Sequence, residues 1–423
     1  MRLRRLLLAR PRARARGGPL GVWLAIGLAV ATVGALVVVP RETGADNGLT
    51  ERLGVGVADA AGSARPLAPL AASAGAVRHG PCPASVGVVP DSGCPLQPGR
   101  VAGDKLGVSI GFHALGDPPE RLAADLADVA ALGVGWARVD VDWAAVESTR
   151  GVDDWSFVDR AIDGAAANGL RVLGLLAYTP PWARPAGTSD KHAPDDLAPF
   201  AAFAQRAAAR YATRGVGAWE IWNEPNFVVN WQPVPDAARY AAMVNAVGPA
   251  IRSVAPAGTV VVTGGLAPAV DAPDGTEIAP ETFVSRMLAA GATAFDAVGS
   301  HAYSYPDLPS DPATASFNSF YRLPILHDAM AAAGFGARSV WITEVGAPTG
   351  RTSRSVSEAR QAEIVADAAR FAQTFPFVAR TFFYSHRDVA PATNTDPETQ
   401  FGLSRVDGSH KPAWDALAAI AQR

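Results

Sequence analysis

Eight short apolar runs, each followed by a segment of helical period, fill residues 105–423, and this alternation limits the fold more than any other feature. The runs are LGVSIGF (106–112), VGWARVDV (134–141), LRVLGLLAY (170–178), GAWEIWN (217–223), TVVVTGG (259–265), FDAVGSHAY (295–303), SVWITEV (339–345) and RTFFYSH (380–386). They are close to continuously apolar, the pattern of parallel strands covered by helices rather than of strands with one wet face. Several intervening segments begin with Pro, Ser or Asp and end at Gly, the expected helix punctuation. Eight such units predict an α/β fold, a single (β/α)8 TIM barrel. A doubly wound open sheet is the alternative, but no glycine-rich phosphate loop follows the first strand.

Residues 1–104 have a different texture. Residues 1–17 form a basic segment with seven Arg and no acid. Leu20 to Val39 is an uncharged run of 20 residues inside the segment 18–39. As a helix it would be about 30 Å long, enough to cross a bilayer. The flanking arginines predict a signal anchor with a cytoplasmic N-terminus and a single-pass cell-membrane location. A cleaved signal peptide, giving a secreted protein, is the alternative reading. Residues 40–104 contain no Phe, Trp or Tyr and are rich in Ala, Gly and Pro. Such a segment buries too little to offset its ordering entropy, so it is expected to be a disordered stalk. Cys82 and Cys94 are the two cysteines. Outside the cell they are expected to form a small disulfide loop; two free thiols are the alternative, and two isolated cysteines do not supply a metal site.

Seven of the 37 basic side chains lie in 1–17, so the rest of the chain carries 30 basic against 40 acidic groups. An acidic body argues against nucleic acid as a partner. Nothing in the sequence fixes the oligomeric state.

Catalytic groups of such barrels sit at the C-terminal strand ends. Strand 2 carries Arg138, with Asp140 and Asp142 on the same parity; strand 4 ends in Asn223-Glu224; strand 6 ends in His301-Ala302-Tyr303; strand 7 ends in Thr343-Glu344; and strand 8 ends near Tyr384. Carboxyls closing strands 4 and 7 face each other across the mouth. That is the arrangement that glycosidic bond cleavage requires, with one acid for the leaving oxygen and one carboxylate to attack or to activate water. Arg138 and Tyr303 can keep one carboxylate ionised. Trp143, Tyr178, Trp182, Trp222 and Trp231 are candidate rim aromatics for stacking on sugar rings. Glu220 is expected to be a satisfied polar group inside the barrel.

WEIWNEPN followed by a Trp, then GGLAP, SHAY and WITEVG, resembles the clan A glycoside hydrolases, and most nearly family 39 and the family 5 cellulase-type barrels. The resemblance spans residues 105–423. It implies Glu224 as general acid/base, Glu344 as nucleophile, Asn223 as a ligand of the sugar 2-hydroxyl, Arg138 and Tyr303 as supports of the nucleophile, and His301 as a site residue. Where the clan commonly places a Trp platform on strand 8, this sequence has FFYSH, with Tyr384 as the substitute. The implied reaction is hydrolysis of β-linked O-glycosidic bonds in a cell-envelope or extracellular polysaccharide, with retained configuration and no cofactor. A transglycosylase with the same residues and a glycan-binding barrel without activity are the competing readings.

Overall fold

The computed structural model describes residues 99–422. The basic segment, the apolar run, most of the stalk and the Cys82–Cys94 pair lie outside the described residues. No helix among the described residues is long and apolar enough to cross a membrane.

Eight parallel strands close into a barrel in chain order. They are β1 (Leu106–Ser109), β2 (Trp136–Asp142), β3 (Arg171–Ala177), β4 (Val216–Ile221), β5 (Val260–Thr263), β6 (Ala297–His301), β7 (Ser339–Val345) and β8 (Val378–Phe383), and β8 pairs back onto β1. Eight helices form the outer layer: α1 (Pro119–Ala131), α2 (Ser156–Ala167), α3 (Leu197–Tyr211), α4 (Ala237–Arg252), α5 (Pro280–Ala289), α6 (Ser319–Ala332), α7 (Glu358–Phe371) and α8 (Pro412–Ala418). The predicted punctuation is visible. Pro119, Pro280 and Pro412 open α1, α5 and α8, where a missing N–H costs nothing. Asp196 and Asp236 cap α3 and α4 by accepting from backbone N–H groups in the first turn. Gly133 and Gly169 stand just past α1 and α2 with φ of 86° and 68°, a region that glycine enters without a Cβ clash.

One boundary shifts. Val101–Ala102 pairs in parallel with Ala421–Gln422, and Val101 is buried. Ordered structure therefore begins within the expected stalk, before Lys105, because the start and end of the chain's barrel region clasp each other at the N-terminal face of the strands.

The barrel interior is a packed core. Trp136, Leu173, Ala218, Val262, Ala297, Trp341 and Phe382, one from each of β2–β8, form its floor. Gly107 on β1 completes the ring, because a Cβ there would fall 2.5 Å from the Phe382 ring. With the floor filled by aromatics, polar side chains on the same inward faces are left for the C-terminal mouth.

Candidate active site

Arg138 is the hub. It lies on the inward face of β2, two residues above Trp136, and is 3% exposed. Its Nε donates to Glu220 Oε2 at 2.6 Å, its Nη1 to Glu344 Oε1 at 2.6 Å and its Nη2 to Asn223 Oδ1 at 3.0 Å. One guanidinium thus ties β4 to β7 across the mouth. Glu220 is fully buried and also accepts from Gly265 N at 2.8 Å, so it is the satisfied interior group the sequence suggested. Asp140, on the same face of β2, is not a partner of Arg138; the fork is consumed by these three residues. Removing the arginine would leave Glu220 and Glu344 without their counter-charge in a dry interior. Arg138→Ala is expected to destabilise the fold by about 3–5 kcal/mol, read as a lowered denaturation midpoint in urea.

Two local departures from regular strand geometry aim the acids. Trp222 and Glu224 adopt φ of 69° and 47°, sparsely populated for non-glycine residues. Such strain persists where the surroundings over-determine it. Here Glu224 N donates to Gly265 O at 2.9 Å, and Asn226, fully buried, bonds Ala267 and Ile278. On the opposite wall the register of β7 slips against both neighbours near its end, so that His301 pairs with Glu344 rather than with Thr343. A bulge of this kind turns one side chain onto the other face. It brings Glu344 to the mouth.

The two acids meet at His301. Its Nδ1 lies 2.8 Å from Glu224 Oε1 and 3.6 Å from Glu344 Oε2. Glu344 Oε2 also accepts from the Tyr303 hydroxyl at 2.7 Å. Glu224 Oε2 accepts from Asn230 Nδ2 at 2.6 Å. Both acids remain accessible, with side-chain exposures of 17% for Glu224 and 12% for Glu344. Asn223 presents Oδ1 to Arg138, which leaves its Nδ2 as a donor with no hydrogen-bond partner among the described residues.

Burial pushes the His301 imidazole down, but the Glu344 charge and the hydrogen bond and charge of Glu224 outweigh it and raise its pKa above 6.5. A raised folded value means that the proton stabilises the fold fully below the unfolded pKa. That contribution is lost as pH rises through the folded value. Wild type should therefore lose more thermal stability than His301→Gln between about pH 6 and pH 8. Equal slopes in a differential scanning experiment would refute the bridging role.

Tyr384 follows β8, half-buried, with its ring 5.5 Å from Phe401. Burial pushes its phenol up, with the charge of Glu344 the next largest influence. Trp182 is not joined to this group. Its indole N–H donates to Glu147 O at 2.8 Å and its ring stands edge-on to Trp143 at 5.3 Å, so it packs the loop after β3. Three other rim candidates are corrected. Trp143, Trp222 and Trp231 are at most 1% exposed and cannot stack on a sugar. They belong to an aromatic chain beneath the mouth, in which Trp222 stands edge-on to Tyr178 and to Trp231. Trp222 also donates from its indole N–H to Asn230 O at 2.7 Å, which holds the residue that contacts Glu224. Asn230 was not found from the sequence; its only signal is a polar residue before Trp231.

The barrel has known counterparts. Residues 109–311 match the cellulase family, glycosyl hydrolase family 5. The resemblance to clan A glycoside hydrolases that the strand-end motifs suggested therefore holds. Similar solved structures include a family 39 glycoside hydrolase from Bacteroides cellulosilyticus, 23% identical over 75% of this chain and 63% of its own, with a TM-score of 0.58. A monomeric β-xylosidase from Caulobacter crescentus is 19% identical over 76% of this chain and 68% of its own, also at 0.58. GH5_18 from Streptomyces cattleya, in complex with GlcNAc, is 22% identical over 76% of this chain and 82% of its own, at 0.57. At these identities the likeness shows the barrel fold, and the chain spans less than two thirds of the first structure's length. No curated protein matches the chain.

Proposed function

We propose that the protein is a retaining glycoside hydrolase that cleaves β-linked O-glycosidic bonds with Glu344 as nucleophile and Glu224 as general acid/base. The observation that carries this reading is the convergence of both carboxylates on His301 Nδ1, at 2.8 and 3.6 Å. Two carboxyls that share one partner suit the short separation of a retaining pair, about 5 Å, rather than the wider gap that admits a water.

Glu344 attacks the anomeric carbon while Glu224 gives its proton to the departing oxygen. Glu224 then takes a proton from water, which attacks the same carbon and releases Glu344. Arg138 and Tyr303 each hold one oxygen of Glu344, fixing its attack direction and stabilising its charge. His301 and Asn230 hold the two oxygens of Glu224. The free amide N–H of Asn223 is available to a sugar hydroxyl beside the reacting carbon.

The substrate is a polysaccharide of the cell envelope or its surroundings, and the chain works outside the cytoplasm, tethered by its N-terminal apolar segment. The basic residues before Leu20 and the uncharged run to Val39 support this topology. The test is hydrolysis of a panel of aryl β-glycosides and β-linked polysaccharides by the full chain in detergent. Release of reducing sugar supports the reading, transfer to an added sugar acceptor favours transglycosylation, and binding without turnover overturns it. Protease protection of intact cells tests the topology, which fails if the barrel is shielded.

A further inference from the structure

Arg138 is not the last inward-facing residue of β2. Asp140 lies two positions further on, with the same parity and therefore on the same face. That face looks into the barrel, because Arg138 on it reaches Glu220 and Glu344. Asp140 is level in the sheet with Leu175 of β3, which is level with Glu220 of β4. Its charge is felt by Tyr178 just after β3 and by Tyr384 just after β8, on either side of β2 and β1. These positions put its carboxylate in the mouth, on the β2 wall.

Asp140 differs from the carboxylates around it. Glu220, Glu224 and Glu344 each accept two hydrogen bonds. Asp142 accepts from Ala145 N at 3.0 Å and caps a short helical turn. Asp140, half-buried, accepts no hydrogen bond from any described residue. The nearby guanidinium cannot serve, since all three of its nitrogens are engaged by other side chains. The Lys191 ammonium is also engaged, lying over the Tyr178 ring at 3.0 Å and beside Asp190.

A half-buried carboxylate without donors is a costly arrangement unless something else supplies them. Burial pushes its pKa up to about 6, with Arg138 pulling it down and Glu344 and Glu220 pushing it further up. The groups facing it are Arg138 and Asp142 on β2, Tyr178 and Lys191 beyond β3, Glu220 on β4, Glu344 on β7 and Tyr384 beyond β8. None of these offers it a hydrogen bond. A sugar ring in the mouth would carry hydroxyl donors past this position.

We propose that Asp140 is a substrate-binding residue that accepts hydrogen bonds from ring hydroxyls of the sugar seated against Glu344, and so sets which sugar the site takes. The inference rests on the glycosidase reading. Hydroxyl donors favour the ionised carboxylate, so sugar binding near pH 6 releases a proton, and affinity falls as pH drops below about 6.

The test uses the full chain, its best 4-nitrophenyl β-glycoside and the monodeoxy analogues of that glycoside. Asp140→Asn should raise KM about tenfold or more and remove the acid limb of kcat/KM near pH 6, with the thermal midpoint equal to or above that of wild type. Removing the matching hydroxyl should weaken the wild type by a similar factor and the variant by nothing further. Asp140→Ala, which deletes the acceptor altogether, should repeat the pattern. Hydrolysis in which both variants keep KM within about twofold of wild type, or in which every deoxy penalty is the same in variant and wild type, overturns the assignment and leaves the glycosidase reading standing. Absence of hydrolysis of any glycoside by the wild-type chain overturns both.

Discussion

Glu344→Gln is expected to lower kcat/KM by about 10⁴-fold or more while leaving the fold in place. The amide keeps the size of the side chain; its oxygen can still accept from Arg138, which now donates to Glu344 Oε1 at 2.6 Å, and its NH2 can donate to the Tyr303 oxygen, which now donates to Oε2 at 2.7 Å. What it cannot do is form and release a glycosyl ester. The loss should be similar for substrates with good and poor leaving groups, because the attack itself is removed. Binding of substrate should persist, with KM changed far less than kcat. A variant that retained more than about a tenth of wild-type activity would remove Glu344 from the role of nucleophile.

Glu224→Ala should behave differently, and the difference separates the two acids. Loss of a general acid costs about 10²–10⁴-fold when the leaving oxygen needs a proton. A dinitrophenyl glycoside, whose leaving group departs as a stable anion, needs none. Its first step should survive, and a glycosyl-enzyme should accumulate because the base for the second step is gone. Added azide, a nucleophile that needs no base, should then restore turnover and give a β-glycosyl azide. Equal loss on all leaving groups, with no azide rescue, would deny Glu224 the acid/base role. Asn230, which holds one of its oxygens, should modulate this limb of the reaction and not the attack by Glu344, whereas His301, which lies between the two acids, should affect both.

The architecture was legible because the apolar runs have two-sided burial and the segments between them have helical period, and both signals are local. The group formed by Arg138, Asn223, Glu224, His301, Tyr303 and Glu344 was legible because strand parity and strand ends specify where inward polar residues must go. Parity failed at two places: after β4, where Asn223 rather than Trp222 reaches Arg138, and at the end of β7. By alternation from Trp341, Thr343 faces inward and Glu344 does not; only the slipped register at the end of β7 brings Glu344 to the mouth. The motif carried that assignment, since no local pattern shows a bulge. The aromatic rim was misread for a related reason. A Trp near a strand end can point over the mouth or under it, and Trp143, Trp222 and Trp231 point under. Asn230 could not be found at all, because its contact with Glu224 depends on the turn that positive φ at Trp222 and Glu224 imposes. The clasp of Val101–Ala102 on Ala421–Gln422 joins the two ends of the barrel region, a pairing no local pattern announces.

The most direct test of the central claim is the configuration of the first sugar released. Proton NMR of a β-glycoside hydrolysed by the full chain, followed from the first minute, distinguishes the two anomers before mutarotation mixes them. Double displacement by Glu344 and then water predicts that the β-anomer appears first and the α-anomer grows in later. Initial appearance of the α-anomer would mean a single displacement, with a carboxylate activating water, and would contradict the account of Glu344 as nucleophile.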